Sequence, residues 1–329
     1  MKAVVAALAA NLGIAIAKFA AFLITGSASM LAESVHSVAD TGNEALLLLG
    51  RGRSRRARTT EHPFGFGRER YFYGFVVAVM LFTVGAAFSL YDGIHKIIQP
   101  SGVESPIVAY AVLGLSFVLE GLSLRTAIME ANAARGTHGL RAFVHITKVP
   151  ELPVVLLEDT AALLGLVFAF TGVLLSQVTK HDEWDGVGSV GIGILLACAA
   201  FIVGYETKSL LIGESATEED SRKIVAALED GPENFKTIHL RTSHIGPETL
   251  LVAAKIAVPA DLTAVDLTAG INAAEARIRA ALPIAETIYL EPDIYHPDEV
   301  DSTDPSIQVV RRSRSGLRRT PGNRQQRRP

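Results

Sequence analysis

A chain of 329 residues with 49% hydrophobic side chains and a mean hydropathy of +0.31 is too apolar for an ordinary soluble protein, so a polytopic membrane protein is expected. The formal net charge of -3 averages over a basic, Arg-rich end after Val310 and an acidic segment from Gly213 to Glu233, and so says little about partners. The single cysteine, Cys198, excludes an internal disulfide framework and a zinc site built on clustered thiolates, leaving His and carboxylates to hold any metal.

A helix needs about 20 apolar residues to cross a bilayer. Six stretches qualify, at about 3–24, 30–50, 72–98, 106–129, 152–177 and 187–205, which puts both termini on one side. A signal peptide is the alternative reading of the first stretch, where Lys2 precedes an Ala/Val/Leu run. The apolar pattern continues past Asn11 and Lys18 to Thr25, longer than a signal core, and favours a span. Loop charge sets the orientation. Arg51, Arg53, Arg55, Arg56 and Arg58 follow the second stretch, and Arg135, Arg141 and Lys148 the fourth, whereas the loops 25–29 and 99–105 carry no Lys or Arg. The loop 179–186 has Lys180 against three acids. The positive-inside rule then places the termini in the cytosol, with the inner or plasma membrane of the cell as the expected location.

The second stretch carries His36 and Asp40 four residues apart, on one face of a helix, where imidazole and carboxylate can close on one cation. Unpaired in hydrocarbon they would be costly, so a metal site and transport are suggested. In the fifth stretch Glu151 belongs to the cytosolic entrance, while Glu158 and Asp159 follow the apolar run from Pro153 to Leu157. At about 1.5 Å rise per residue, Asp159 lies about 12 Å in from the cytosolic end and Asp40 about 15 Å from the outer end. In a core of about 30 Å the two meet near the middle, and His36, Asp40 and Asp159 form one metal shell.

Other intramembrane polar groups need partners too. Asn11, Lys18, Glu120 and Arg125 are expected to pair structurally, with Lys18 and Glu33 at similar depth and Glu120 alternatively a proton or vestibule carboxylate. His95 and Lys96, at the outer end of the third stretch, are expected to snorkel to the interface. Gly186, Gly188, Gly191 and Gly193, with Ser189, read as a close-packing face in the sixth.

After Tyr205 the pattern changes. A helix over 217–228, strands over 236–241 and 250–258, a helix over 264–281 and a strand over 287–290 give an α-β-β-α-β order of about 85 residues, a small α+β domain. The expected organisation is a transport domain over 1–208, a cytosolic dimerisation domain over 209–296 and a disordered basic tail over 297–329. The tail's Arg residues read as a solvated segment obeying the positive-inside rule, with contact to anionic lipid or nucleic acid as the alternative.

Two motifs carry a family resemblance. Gly26-Ser27-Ala28-Ser29-Met30-Leu31-Ala32-Glu33-Ser34-Val35-His36-Ser37-Val38-Ala39-Asp40 and His62-Pro63-Phe64-Gly65-Phe66-Gly67-Arg68 resemble those of the cation diffusion facilitator family of divalent-metal/proton antiporters. The resemblance implies six transmembrane helices with a metallochaperone-like cytosolic domain, a homodimer, and metal ligands at His36, Asp40 and Asp159. Where the family has His or Asp four residues before its fifth-span Asp, this chain has Val155, so the fourth ligand must come from elsewhere. Glu158, Glu33, Asn43 or water are the candidates, with Glu158 turned about 100° from Asp159. Leu156-Leu157-Glu158-Asp159 is similar to the branch that includes an organellar zinc transporter.

The family's loop site retains only His62, and its cytosolic His-x-Asp element reads Leu290-Glu291-Pro292-Asp293, so neither accessory metal is assigned. His239, His244 and His296 are read as scattered surface residues. The implied function is efflux of a divalent metal from the cytosol in exchange for protons, with Zn2+ as the first choice and Mn2+, Fe2+, Co2+ or Cd2+ as alternatives, and with no cofactor and no nucleic-acid partner. Coupling centres on His36, whose ordinary pKa near 6.5 makes protonation compete with metal binding. A membrane-embedded metal hydrolase is the rival from another class, but no His-Glu-x-x-His is present. A transport-defective metal-binding regulator is the third reading, resting on the missing ligand.

Overall fold

The computed structural model describes residues 2–25, 28–100, 106–136 and 139–294. Long helices fill the first two-thirds: α1 (Lys2–Thr25), α2 (Ala28–Ser54), α3 (Glu69–Met80), a π-helical segment (Leu81–Ala87) running into α4 (Phe88–Ile98), α5 (Pro106–Ala134), a short α6 (Leu140–Ile146), α7 (Glu151–Thr179) and α8 (Glu183–Ile212). The short α6 was not expected from the sequence. Pro150 and Glu151 open α7, a proline at the N-cap followed by an acid in the first turn. Gly213, at φ 116°, closes α8 in a conformation that side chains disfavour.

Many small residues of these helices are buried and many large apolar ones are exposed. Ala3, Ala7, Ala10, Ala127 and Ala131 are buried between helices, whereas Leu12, Ile16, Phe117, Phe168 and Phe201 point outward. That is the inverse of a soluble bundle and the expected distribution when the surrounding solvent is hydrocarbon, because small residues let helices approach closely. Among the described residues, five helical stretches are long and apolar enough to cross a membrane: Lys2–Ala21, Glu69–Ile98, Ile107–Ala134, Glu151–Thr179 and Glu183–Ile212. The expected second span, α2, is not among them. It is 27 residues long, ample for a crossing, but Asp40, Glu44, Arg51 and Arg53 dilute its apolar content. It packs against α1 and α3.

Backbone approaches fix the pairing of α8. A Cβ on Gly93 of α4 would lie 2.8 Å from the Gly186 carbonyl oxygen, and one on Gly193 would lie 2.9 Å from the Leu90 nitrogen. On its other side α8 meets α7, where a Cβ on Gly188 would lie 2.9 Å from the Phe168 carbonyl oxygen and one on Gly172 would lie 2.9 Å from that of Trp184. The glycines of the sixth stretch therefore serve two neighbours, and Gly191 faces the Phe168 ring at ordinary contact distance.

The chain divides into two compact units, residues 1–217 with 242–251, and residues 218–241 with 252 onward. The C-terminal part holds α9 (Glu218–Glu229), β1 (Lys236–Gly246), β2 (Thr249–Ala257), α10 (Ala264–Ala281) and β3 (Thr287–Asp293), in the α-β-β-α-β order, with a sheet ordered β1-β2-β3. Leu250, Val252, Ala254 and Ile256 alternate into the core along β2, the period-two signature of a half-buried strand. Thr263 caps α10 by accepting from the Asp266 nitrogen at 3.2 Å. Arg277 of α10 holds Glu233 at 3.2 Å and donates to the Ala227 carbonyl at 2.9 Å. Burial alone would raise the Glu233 carboxyl, but its backbone hydrogen bond and Arg277 outweigh burial and hold it below the ordinary glutamate range. Residues 297–329, expected to be a tail, lie outside the described residues, as does His296.

Candidate metal centre

Asp40 of α2 and Asp159 of α7 line one cavity of about 420 Å³ between the helices, together with Glu120 of α5 and Glu158 of α7. Ser89, Asp92, His95 and Lys96, spread along α4, line it as well. Carboxylates of the second and fifth stretches therefore line the same cavity. The side chains of Glu33 and His36 lie outside the described residues, although both positions fall on the α2 helix. Among the described residues, no three His, Cys, Asp or Glu side chains form a group that could hold one ion.

Adjacent acids on α7 face different partners. Asp159, 1% exposed, accepts from Ser123 of α5 at 2.7 Å, whereas Glu158 accepts from Asn43 of α2 at 3.0 Å. The 100° step between neighbours on a helix is what sends them apart. Val155, where the family's other ligand would stand, is fully buried in an apolar cluster with Leu47, Val77 and Val203, so the position is used for packing. Glu120 lies across the cavity and is offset by Lys18, which lines the same space. Arg125, expected to need a partner inside the bundle, is instead exposed on α5.

Sequence reasoning overlooked Glu44. It is fully buried on α2 and repelled by Asp40 and Asp159, and it repels Glu158. The signal was available, because 36, 40 and 44 continue one i, i+4 series along a single helix face.

Three expectations need correction. Lys96 does not snorkel. It is 20% exposed and bridges Asp92 at 3.0 Å and Asp185 at 3.1 Å, tying α4 to the start of α8, and His95 lines the cavity beside it. A long side chain seeks interfacial water only when no carboxylate is nearer, and here two are. Glu151 is not an open entrance group but is 4% exposed and clamped by Arg70 of α3 through Nε at 2.5 Å and Nη2 at 2.8 Å. The two-pronged guanidinium geometry suits a carboxylate taken out of water. His244 is buried at 2% exposure, because β1 runs on past the expected end at Arg241.

The cation efflux transmembrane domain model matches residues 4–212. The chain is 35% identical over 224 residues to the human "Proton-coupled zinc antiporter SLC30A9, mitochondrial", covering 68% of this chain and 39% of that protein. It is 30% identical over 257 residues to "Metal tolerance protein C4" of Arabidopsis thaliana, covering 78% of this chain and 56% of the relative. It is 24% identical over 275 residues to the "Cation-efflux pump FieF" of Shewanella oneidensis, covering 82% and 86%. The chain thus spans well under two-thirds of the human and plant relatives' length.

Proposed function

The chain belongs to the cation efflux family, and from that membership we propose that it is a homodimeric antiporter moving a divalent transition metal, zinc first, out of the cytosol in exchange for protons. His36, Asp40 and Asp159 are the ligands in this reading, with water completing a four-coordinate shell because Val155 cannot. The observation that carries it is Asp40 and Asp159 on separate helices lining one acid-rich cavity. Protonation of the His36 imidazole competes with the metal, and the two aspartates share the exchanged protons. Glu120, facing the same cavity, takes the vestibule role.

Six spans are assigned, α2 being the sixth, because Asp40 lines the cavity, Glu44 is buried and the helix is long enough. Residues 1–208 are then the transport domain, 209–296 a cytosolic dimerisation domain and 297–329 a basic tail, with both termini in the cytosol. The inner or plasma membrane is the assigned location, and the relative named as mitochondrial makes an organellar inner membrane the alternative.

In liposomes with an acidic lumen, the purified full-length chain should accumulate zinc, and Asp40→Ala or Asp159→Ala should abolish uptake without changing its elution from a sizing column. The same assay with Mn2+, Fe2+, Co2+ and Cd2+ ranks the cations. Absence of proton-dependent flux for all five metals would refute the assignment.

A further inference from the structure

Four buried oxygen acceptors of α2 and α7 lack a hydrogen bond of good geometry. Neither carboxylate oxygen of Glu44 accepts a hydrogen bond, and Glu158 Oε2 and Asn43 Oδ1 are also unsatisfied, all three residues being nine-tenths or more buried. Asn11 of α1 lies beside Glu44 without reaching hydrogen-bond geometry. Asn43 Nδ2 meanwhile holds Glu158 Oε1 at 3.0 Å, so α2 and α7 present this oxygen set jointly. Buried acceptors are almost always satisfied, and an orphan costs about 1–3 kcal/mol, more if charged. A cation satisfies several such oxygens at once.

We propose that Glu44, Glu158 and Asn43 form a second cation station, distinct from the His36/Asp40/Asp159 set and built from oxygen ligands alone. The inference rests on the transport reading for its purpose but not for its chemistry. Glu44 lies about 6 Å along α2 from Asp40, toward the arginine-rich end of the helix. Glu158 lines the cavity floor, whereas Glu44 and Asn43 do not line the cavity, so the station sits behind that floor. Along α2, an ion arriving from the arginine-rich end meets these oxygens before it meets Asp40.

The donor set defines the ligand. Two carboxylates and an amide carbonyl suit hard divalent cations such as Mn2+ or Mg2+ and discriminate poorly among them, whereas an imidazole favours zinc. Entry and selection are therefore divided between two stations. The like-charged carboxylates, which repel one another when no cation is between them, are held together by the ion that passes.

Mn2+ binding to the full-length protein in detergent, read by loss of the free-ion EPR signal, tests the station in an Asp40→Asn/Asp159→Asn background that lacks both carboxylate ligands of the transport site. That double variant should still bind Mn2+, and adding Glu44→Gln should abolish the binding. Failure of the double variant to bind Mn2+, or binding that survives Glu44→Gln, would overturn the station. Zinc flux of the double variant reports separately on the transport reading, which fails if flux persists. In the otherwise unaltered protein, Glu44→Gln should raise the zinc concentration for half-maximal flux about tenfold, with partial rescue by Glu44→Asp. An unchanged half-maximal concentration would count against the station even if the triple variant misfolded.

Discussion

Ser123 and Val155 show how differently two positions beside the same carboxylate are used. The Ser123 hydroxyl donates to Asp159 Oδ2 at 2.7 Å and fixes the rotamer of a side chain with almost no exposed surface. Such supporting partners orient a ligand oxygen before the metal arrives, and their loss typically costs about 10–100-fold in affinity or activity. Ser123→Ala should therefore raise the zinc concentration for half-maximal flux while leaving the maximal rate within about threefold, since no ligand is removed. A loss confined to maximal rate would mean that Ser123 serves proton movement instead. Val155 is part of the apolar cluster under Leu47 and Val203, which is why its sequence position signalled a missing ligand but not its replacement. Glu44 was legible from spacing alone, whereas the Arg70 clamp on Glu151 was not, because the partners stand 81 residues apart on different helices.

Elements were more legible than their partnerships. The helix over 264–281 coincides with α10, and most other boundaries lie within about four residues, because apolar runs and alternation report local geometry directly, whereas α5, α8 and β1 run further than expected at their ends. The glycines of the sixth stretch announced close packing but not that Gly186 and Gly193 approach α4 while Gly188 approaches α7. Two faces of one helix cannot be assigned to neighbours without the tertiary arrangement. The backbone contact at Gly93 predicts that Gly93→Ala places a methyl 2.7 Å from the Val190 nitrogen and pushes α4 from α8. Overpacking of this kind costs about 1–3 kcal/mol. Gly114→Ala, with nothing within 4 Å of its added Cβ, should instead be neutral or slightly stabilising. Thermal unfolding of both variants in one detergent checks the contrast, and equal melting temperatures would show that α4 and α8 separate freely.

At the scale of the molecule, the cavity has a direction. Its floor is the acid pair on α7, and Asp92, His95 and Lys96 of α4 line it as well. The opposite ends of α3 and α7 are pinned by the buried Arg70–Glu151 pair, and breaking one partner of such a pair costs about 3–5 kcal/mol. In the orientation proposed above from loop charge, the α4 side of the cavity faces the outside and the Arg70–Glu151 side faces the cytosol. Thiol labelling can test this assignment, since replacing Cys198 by Ser leaves a chain without cysteine. In right-side-out vesicles, Ser89→Cys, which lines the cavity, should react with a membrane-impermeant maleimide, and Arg55→Cys, beyond the end of α2, should react only after the vesicles are opened. Zinc added outside should slow labelling at Ser89→Cys if the ion occupies the cavity below it. The reverse pattern, with Arg55→Cys labelled in sealed vesicles, would invert the topology and turn the same cavity into the cytosolic entrance.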